Sequence, residues 1–240
     1  KAGIIKDGIT LISAKQKKEV LNVLLKAAKK RQATVKVSES PSSVILREDG
    51  TTFKFLGNEY KTSLIGYHQA DNAVLAINAI KYFDKNIKQK AIKEGLKKVV
   101  WPGRLQLVSE RIYYDVAHNI EGIKSTLDNL VRIFPSVNIY GLFCIKGDKD
   151  LEVVAKIIKS NFKKLFVTKD RQNLLLNQSV LSNKLEYFGV KNYPLESIHQ
   201  GIKEIKKIMK SYDMLLIFGS HYIGEEVFEE FEISFDSGKI

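Results

Sequence analysis

Cysteine is almost missing from this sequence: of 240 residues, only Cys144 is one. A lone thiol closes no internal disulfide and completes no structural zinc site, so a reducing cytosol is the expected home. Long apolar runs are missing too. The longest candidate, Val137 to Ile145, is interrupted by Asn138 and falls far short of the roughly 20 residues that span a bilayer. The opening stretch, Lys1-Ala-Gly-Ile-Ile-Lys, contains no apolar signal segment, and its first residue is not Met. Such a start is expected of part of a longer chain or of a cleaved tag. No G-x-G-x-x-G follows a strand-like run and no G-x-x-x-x-G-K-[ST] occurs, so neither nucleotide fingerprint supports a reading. His68, His118, His199 and His221 lack zinc-ligand spacing, and Ser220 beside His221 makes no serine triad by adjacency.

Hydrophobic residues make up 44% of the chain and aromatics 10%, enough to bury a core and to exclude intrinsic disorder. The net charge of +12 raises nucleic acid as a partner. Its distribution argues otherwise. Residues 1–103 carry 20 Lys+Arg against 9 Asp+Glu, whereas residues 104–240 carry 19 against 18. Much of the excess is lysine on helical stretches, as at Lys26, Lys29, Lys30, Lys93, Lys97 and Lys98, where a solvated helix face is the simpler explanation.

Periodicity divides the chain near Trp101-Pro102-Gly103. Before it, a strand over residues 9–13, a helix over 16–31 with Val20, Leu21, Leu24, Leu25 and Ala28 on one face, and a strand over 33–37 are predicted. Three β-rich runs follow, separated by Asp49-Gly50 and Gly57-Asn58, the chemistry of tight hairpins. They predict an antiparallel meander in which Phe53, Phe55 and Tyr60 form a core face, followed by helices over 69–83 and 87–98. After the break, strands over 111–116, 137–145, 164–168 and 213–218 alternate with helices over 122–134, 151–160, 198–210 and 225–231. That alternation predicts a parallel, doubly wound sheet. The stretch between 169 and 197 is ambiguous.

Ligands in such sheets lie beyond the carboxyl ends of the strands. Three loops are therefore candidates. Asp115-Val116-Ala117-His118-Asn119 places an acid at a strand end and polar groups at a helix start, although a plain helix cap accounts for it equally. Lys146-Gly147-Asp148-Lys149-Asp150 gathers charge around one glycine, with Asp150 as a possible cap. Gly219-Ser220-His221-Tyr222 combines a glycine that allows close approach with a hydroxyl donor.

Six blocks in order carry a resemblance: Lys1-Ala-Gly-Ile-Ile-Lys, Gly66-Tyr67-His68-Gln69-Ala70-Asp71-Asn72-Ala73, Trp101-Pro102-Gly103-Arg104, Asp115-Val116-Ala117-His118-Asn119, Asp148-Lys149-Asp150 and Gly219-Ser220. Together they resemble the folylpolyglutamate synthases and dihydrofolate synthases of the Mur ligase superfamily. The resemblance implies an α/β protein: residues 1–103 as the C-terminal part of a Mur-ligase-type ATPase domain, with the small meander, and residues 104–240 as a Rossmann-like glutamate-ligase domain. It implies ATP-dependent joining of L-glutamate to a folate or dihydropteroate carboxylate through an acyl phosphate. It also implies that the glycine-rich phosphate loop and the folate-binding segment lie upstream, so that these residues alone bind but do not catalyse. ATP and Mg2+ are the implied cofactors, and small molecules the implied partners of an expected cytoplasmic monomer that engages neither nucleic acid nor membrane.

Residue by residue, Lys1 matches the lysine that becomes a carbamate and helps organise magnesium, an oxygen-seeking ion. Asn72 matches a contact on the adenine side, Arg104 one on the phosphates and Asp115 one on the ribose. For Asn72 a helix cap near Gln69 is the competing explanation. His118 and Ser220 match positions that meet the incoming glutamate, with Arg104 and His118 as the catalytic pair. Asp148 and Asp150 are read as structural or glutamate-side. Val116 and Asn119 stand where peptidoglycan-building relatives carry a tyrosine and a second histidine, and no Asp-Asn-Pro-Arg motif occurs. The first departure favours the folate branch, and the missing motif, which serves a diamino acid, favours glutamate. The short interval from Arg104 to Asp115 implies a tight hairpin. Another amide ligase of the superfamily is the alternative, and a basic nucleic-acid-binding module the alternative of a different class.

Overall fold

Two short parallel strands, β1 (Thr10–Ser13) and β2 (Thr34–Val37), open the first of two units in a computed structural model that describes residues 2–234. The units are Lys1–Val99 and Val100–Ile240. Helix α1 (Lys18–Lys30) joins β1 to β2; of its expected apolar stripe only Ala28 is buried, while Val20 and Leu25 remain exposed.

The meander forms as β3 (Ser42–Arg47), β4 (Gly50–Phe55) and β5 (Asn58–Thr62), all antiparallel. Its second turn is Leu56-Gly57, one residue earlier than the sequence pattern places it. Both residues have positive φ, at 47° and 73°, as a two-residue primed turn requires. Phe53, Phe55 and Tyr60 pack on Ala70, Ala73, Val74 and Ile77 of α2 (Tyr67–Phe83) and on Ile92 of α3 (Gln89–Lys98). The rings of Phe53 and Tyr60 stack at 5.6 Å, and both side chains are buried. These aromatics are a core face, and stacking on bases would require them at the surface.

The second unit is a mixed α/β layer structure around six strands in the order β10-β9-β8-β11-β7-β6. β7 (Ile112–Asp115), β8 (Ile139–Phe143), β9 (Lys164–Val167), β10 (Tyr193–Pro194) and β11 (Met214–Phe218) run parallel, and β6 (Gln106–Ser109) pairs antiparallel with β7 at the edge. The β6–β7 hairpin fills the short interval from Arg104 to Asp115. Every residue of β7, β8 and β11 is buried, which explains their near-continuous apolar character.

Alternate residues of these strands face opposite sides. Ile112, Tyr114, Tyr140, Leu142, Leu215 and Ile217 share one core with α7 (Ile198–Ile208) and α8 (Gly224–Glu230). On the other side lie α4 (Ile120–Ile133), α5 (Leu151–Ile158) and α6 (Gln178–Tyr187), with Tyr113 meeting Phe134 at 6.0 Å and Phe162 meeting Phe218 at 5.3 Å. Helices α4, α5, α6 and α7 each begin at a side-chain cap: Asn119, Asp150, Asn177 and Ser197. The ambiguous stretch holds α6 and the two-residue β10. α6 buries Gln178 and Ser182 alongside Leu181 and Leu185, so its sequence shows no clean apolar stripe. Among the described residues no helix is long and apolar enough to cross a membrane.

Candidate functional site

Strand register brings the candidate loops together. Phe218 at the end of β11 pairs with Asp115 at the end of β7 on one side and with Phe143 at the end of β8 on the other. The loops after Asp115, Phe143 and Phe218 therefore leave adjacent strands at one carboxyl edge, where doubly wound sheets bind ligands.

Gly219 makes the exit from β11 possible. At φ +113 its Cα lies so close to the next strand that a Cβ would sit 1.8 Å from the Cys144 carbonyl oxygen. Only glycine combines that dihedral with that approach. The turn buries Ser220, whose Oγ accepts from the Tyr222 N–H at 3.1 Å and so keeps its own proton for another acceptor. The Ser220 carbonyl accepts from the buried Tyr114 hydroxyl at 2.9 Å. Tyr114 is a support that the sequence pattern did not single out; its position directly before Asp115 is the only hint.

Asp115 is 7% exposed. One carboxylate oxygen accepts from the Leu105 N–H and the other from the Ala117 N–H, each at 2.7 Å. Burial pushes its carboxyl up to about 6, and these two donors hold back part of that rise. Asp115 thus braces the segments on both sides of the β6–β7 hairpin. The segment Gly103-Arg104-Leu105 is tightly bent, with φ +69 at Gly103 and +43 at Leu105. A leucine there is strained by about 1–3 kcal/mol, which its buried side chain and its bond to Asp115 offset. The bend leaves the Arg104 side chain exposed, with its charge favouring the ionised form of Asp115.

His118 is exposed just before α4. Its Nδ1 lies 2.9 Å from the Val116 carbonyl oxygen. A carbonyl only accepts, so Nδ1 carries a proton, and the neutral form of that ring has its lone pair on Nε2. Asn119 is the helix cap, accepting from the Gly122 N–H at 2.7 Å. His221, on the neighbouring loop, stands edge-on to His118 with ring centroids 6.3 Å apart and rests on Tyr222 at 4.2 Å.

The third loop is spent locally. Asp150 caps α5 through the Val153 N–H at 3.3 Å, and Asp148 pairs with Lys149 at 3.2 Å. A fourth loop, after β9, was not anticipated: buried Asp170 accepts from the Leu174 and Leu175 N–H groups at 2.9 and 2.8 Å, and the Arg171 N–H donates to Glu226 at 2.8 Å.

Of the remaining candidates, Asn72 lies in the first unit. It is not a cap: Gly66 holds that position for α2, and Asn72 sits in the helix, exposed, its Nδ2 donating to Gln69 Oε1 at 3.1 Å. Lys1 lies outside the described residues. Among the described residues no three His, Cys, Asp or Glu side chains gather as a metal site. What unit two assembles is an exposed cation at Arg104, a hydroxyl donor at Ser220 and an imidazole at His118, suited to holding anionic groups and meeting an amine.

A family described as "Mur ligase, glutamate ligase domain" matches residues 103–221. The dihydrofolate synthase/folylpolyglutamate synthase of Bacillus subtilis is 32% identical over 252 residues, covering 95% of this chain and 56% of that protein. Among solved structures, a Mycobacterium tuberculosis folylpolyglutamate synthase complexed with ADP superposes with a TM-score of 0.86 at 23% identity, over 97% of this chain and 58% of that one. E. coli FolC in complex with DHPP and ADP gives 0.79 at 19% identity, over 96% and 55%. At those identities the structures speak for the fold. The chain spans about half the length of the relatives it matches.

Proposed function

We propose that this chain belongs to the dihydrofolate synthase/folylpolyglutamate synthase family, to which its similarity points, and that it supplies the amino-acid side, and part of the ATP side, of an amide ligase joining L-glutamate to a folate or dihydropteroate carboxylate. The observation that carries the reading is the convergence of Arg104, His118 and Ser220 at the shared carboxyl edge of β7 and β11, braced by Asp115.

A carboxylate is a poor electrophile. ATP supplies a phosphoryl group that converts it to an acyl phosphate, which the glutamate amine attacks to give an amide, ADP and phosphate. Such a reaction depends on positioning and on charge neutralisation. Arg104 is assigned to the phosphates, a reading supported by its exposure, its charge and its place in the bend between Gly103 and Leu105. Asp115 is assigned to the ribose side of the nucleotide and serves it through that bend, which its two backbone bonds hold. Ser220 donates to a glutamate carboxylate. His118 Nε2 accepts a proton from the incoming ammonium, which must become a neutral amine before it can attack. Asn72 is assigned to the adenine side and Lys1, as a carbamate, to magnesium.

The test is release of ADP and phosphate by the complete gene product. The expected result is turnover only when ATP, Mg2+, L-glutamate and a folate or dihydropteroate are all present. Turnover independent of any folate substrate, or with a peptidoglycan precursor in its place, would move the chain to another branch of the superfamily.

A further inference from the structure

We propose that His118 and His221 together form a binding site for a divalent transition-metal ion of the zinc class. Along the sequence these histidines are 103 residues apart, and neither lies in a metal-ligand spacing. Register changes that. Asp115 and Phe218 are paired positions on adjacent parallel strands, and each histidine follows its own member of the pair by three residues. The two rings are thereby delivered side by side at the same sheet edge, edge-on at 71° with centroids 6.3 Å apart.

Two imidazoles sharing one ion have ring centres roughly 5–6 Å apart, given metal–nitrogen distances of about 2.0–2.1 Å. Small side-chain rotations therefore close this pair on an ion. The outer support is also in place. Imidazoles that ligate metals characteristically donate their second N–H to a backbone carbonyl or carboxylate, which fixes the tautomer. His118 Nδ1 does so to the Val116 carbonyl at 2.9 Å. His221 is braced by the Tyr222 ring and, among the described residues, makes no side-chain hydrogen bond that an ion would have to break. Both histidines are exposed, so solvent or a substrate carboxylate can fill the remaining positions.

Imidazole selects zinc, nickel, cobalt or copper, whereas Mg2+ prefers oxygen and keeps its waters. Excess Mg2+ therefore does not compete. The binding stands independently of the ligase reading. Its consequence rests on that reading: an ion on His118 Nε2 occupies the lone pair that would receive the glutamate proton, so zinc would inhibit ligation in competition with glutamate and not with ATP.

The decisive measurement is calorimetric titration of the protein with Zn2+ in excess Mg2+. One saturable Zn2+ per chain is expected, weakened at least about tenfold in H118A and in H221A. H221F, which keeps a ring against His118 and Tyr222 but loses both nitrogens, is expected to lose binding equally. H199A, whose ring instead meets Glu230 at 2.6 Å, is expected to retain it. No saturable binding, or binding that survives H221F, overturns the site. In the complete gene product, Zn2+ is expected to raise the KM for glutamate in wild type and not in H221F. A product that ligates nothing would count against the ligase reading, while the titration alone decides the metal site.

Discussion

The Tyr114 hydroxyl donates to the Ser220 carbonyl oxygen at 2.9 Å, tying the end of strand β7 to the loop that leaves β11. The tyrosine ring is held edge-on against Phe228 at 5.8 Å, and burial raises its phenol well above the usual range, so it remains a neutral donor. Y114F keeps the ring and strands a buried carbonyl. It is expected to cost about 1–2 kcal/mol in urea unfolding of the chain and to raise the glutamate KM of the complete enzyme. An unchanged unfolding midpoint would show that Ser220 is held by other means.

Gly219 admits no side chain. In G219A the new methyl would have to move the Cys144 carbonyl, which lies 1.8 Å from where it would be, at a backbone angle that L-residues avoid. A loss of at least about 3 kcal/mol is expected, read as a fall in Tm of roughly 6–12 °C.

Asp115 gives the site a pH signature. Its folded-state carboxyl titrates at about 6 against an ordinary 3.8, so between those values the folded chain holds a proton that the unfolded chain has released. Its contribution to stability is present below about pH 4 and lost as pH rises through 6, amounting to about 3 kcal/mol at most. Stability curves of wild type and D115N should therefore diverge over that window, with wild type falling relative to the variant. D115N should start lower, because its amide oxygen can accept from only one side of the bend while its NH2 faces the other backbone N–H as a second donor. Wild type gaining stability relative to D115N between pH 4 and 6 would contradict the assignment.

Arg104 is exposed, so R104A should leave Tm unchanged within about 1 °C while lowering kcat/KM for ATP in the complete enzyme by about 10–100-fold. R104K should recover only part, since an ammonium lacks the two-pronged guanidinium geometry that phosphates take.

Much of the fold is legible in the chain because each element carries its own period. The buried runs Ile139–Phe143 and Met214–Phe218 and the paired turns around the meander need no tertiary context to be recognised. β6 and α6 were harder. A four-residue edge strand has no period to speak of, and α6 mixes Gln178 and Ser182 into its buried face. For the site, the bland explanation held for Asn119 and Asp150, which are caps, and failed for Asn72, which lies inside its helix.

Local pattern determines which residues are strands, which loops are polar and where the charge lies; those properties depend on neighbours a few positions away. Which loops meet depends on strand order and register, set by side chains packing between segments 100 residues apart. Only the tertiary structure decides that β11 inserts between β7 and β8, seating Ser220 under Tyr114 and His221 beside His118. It also decides that the chain's single cysteine, first a clue to redox environment, is a buried residue whose carbonyl permits nothing but glycine at position 219.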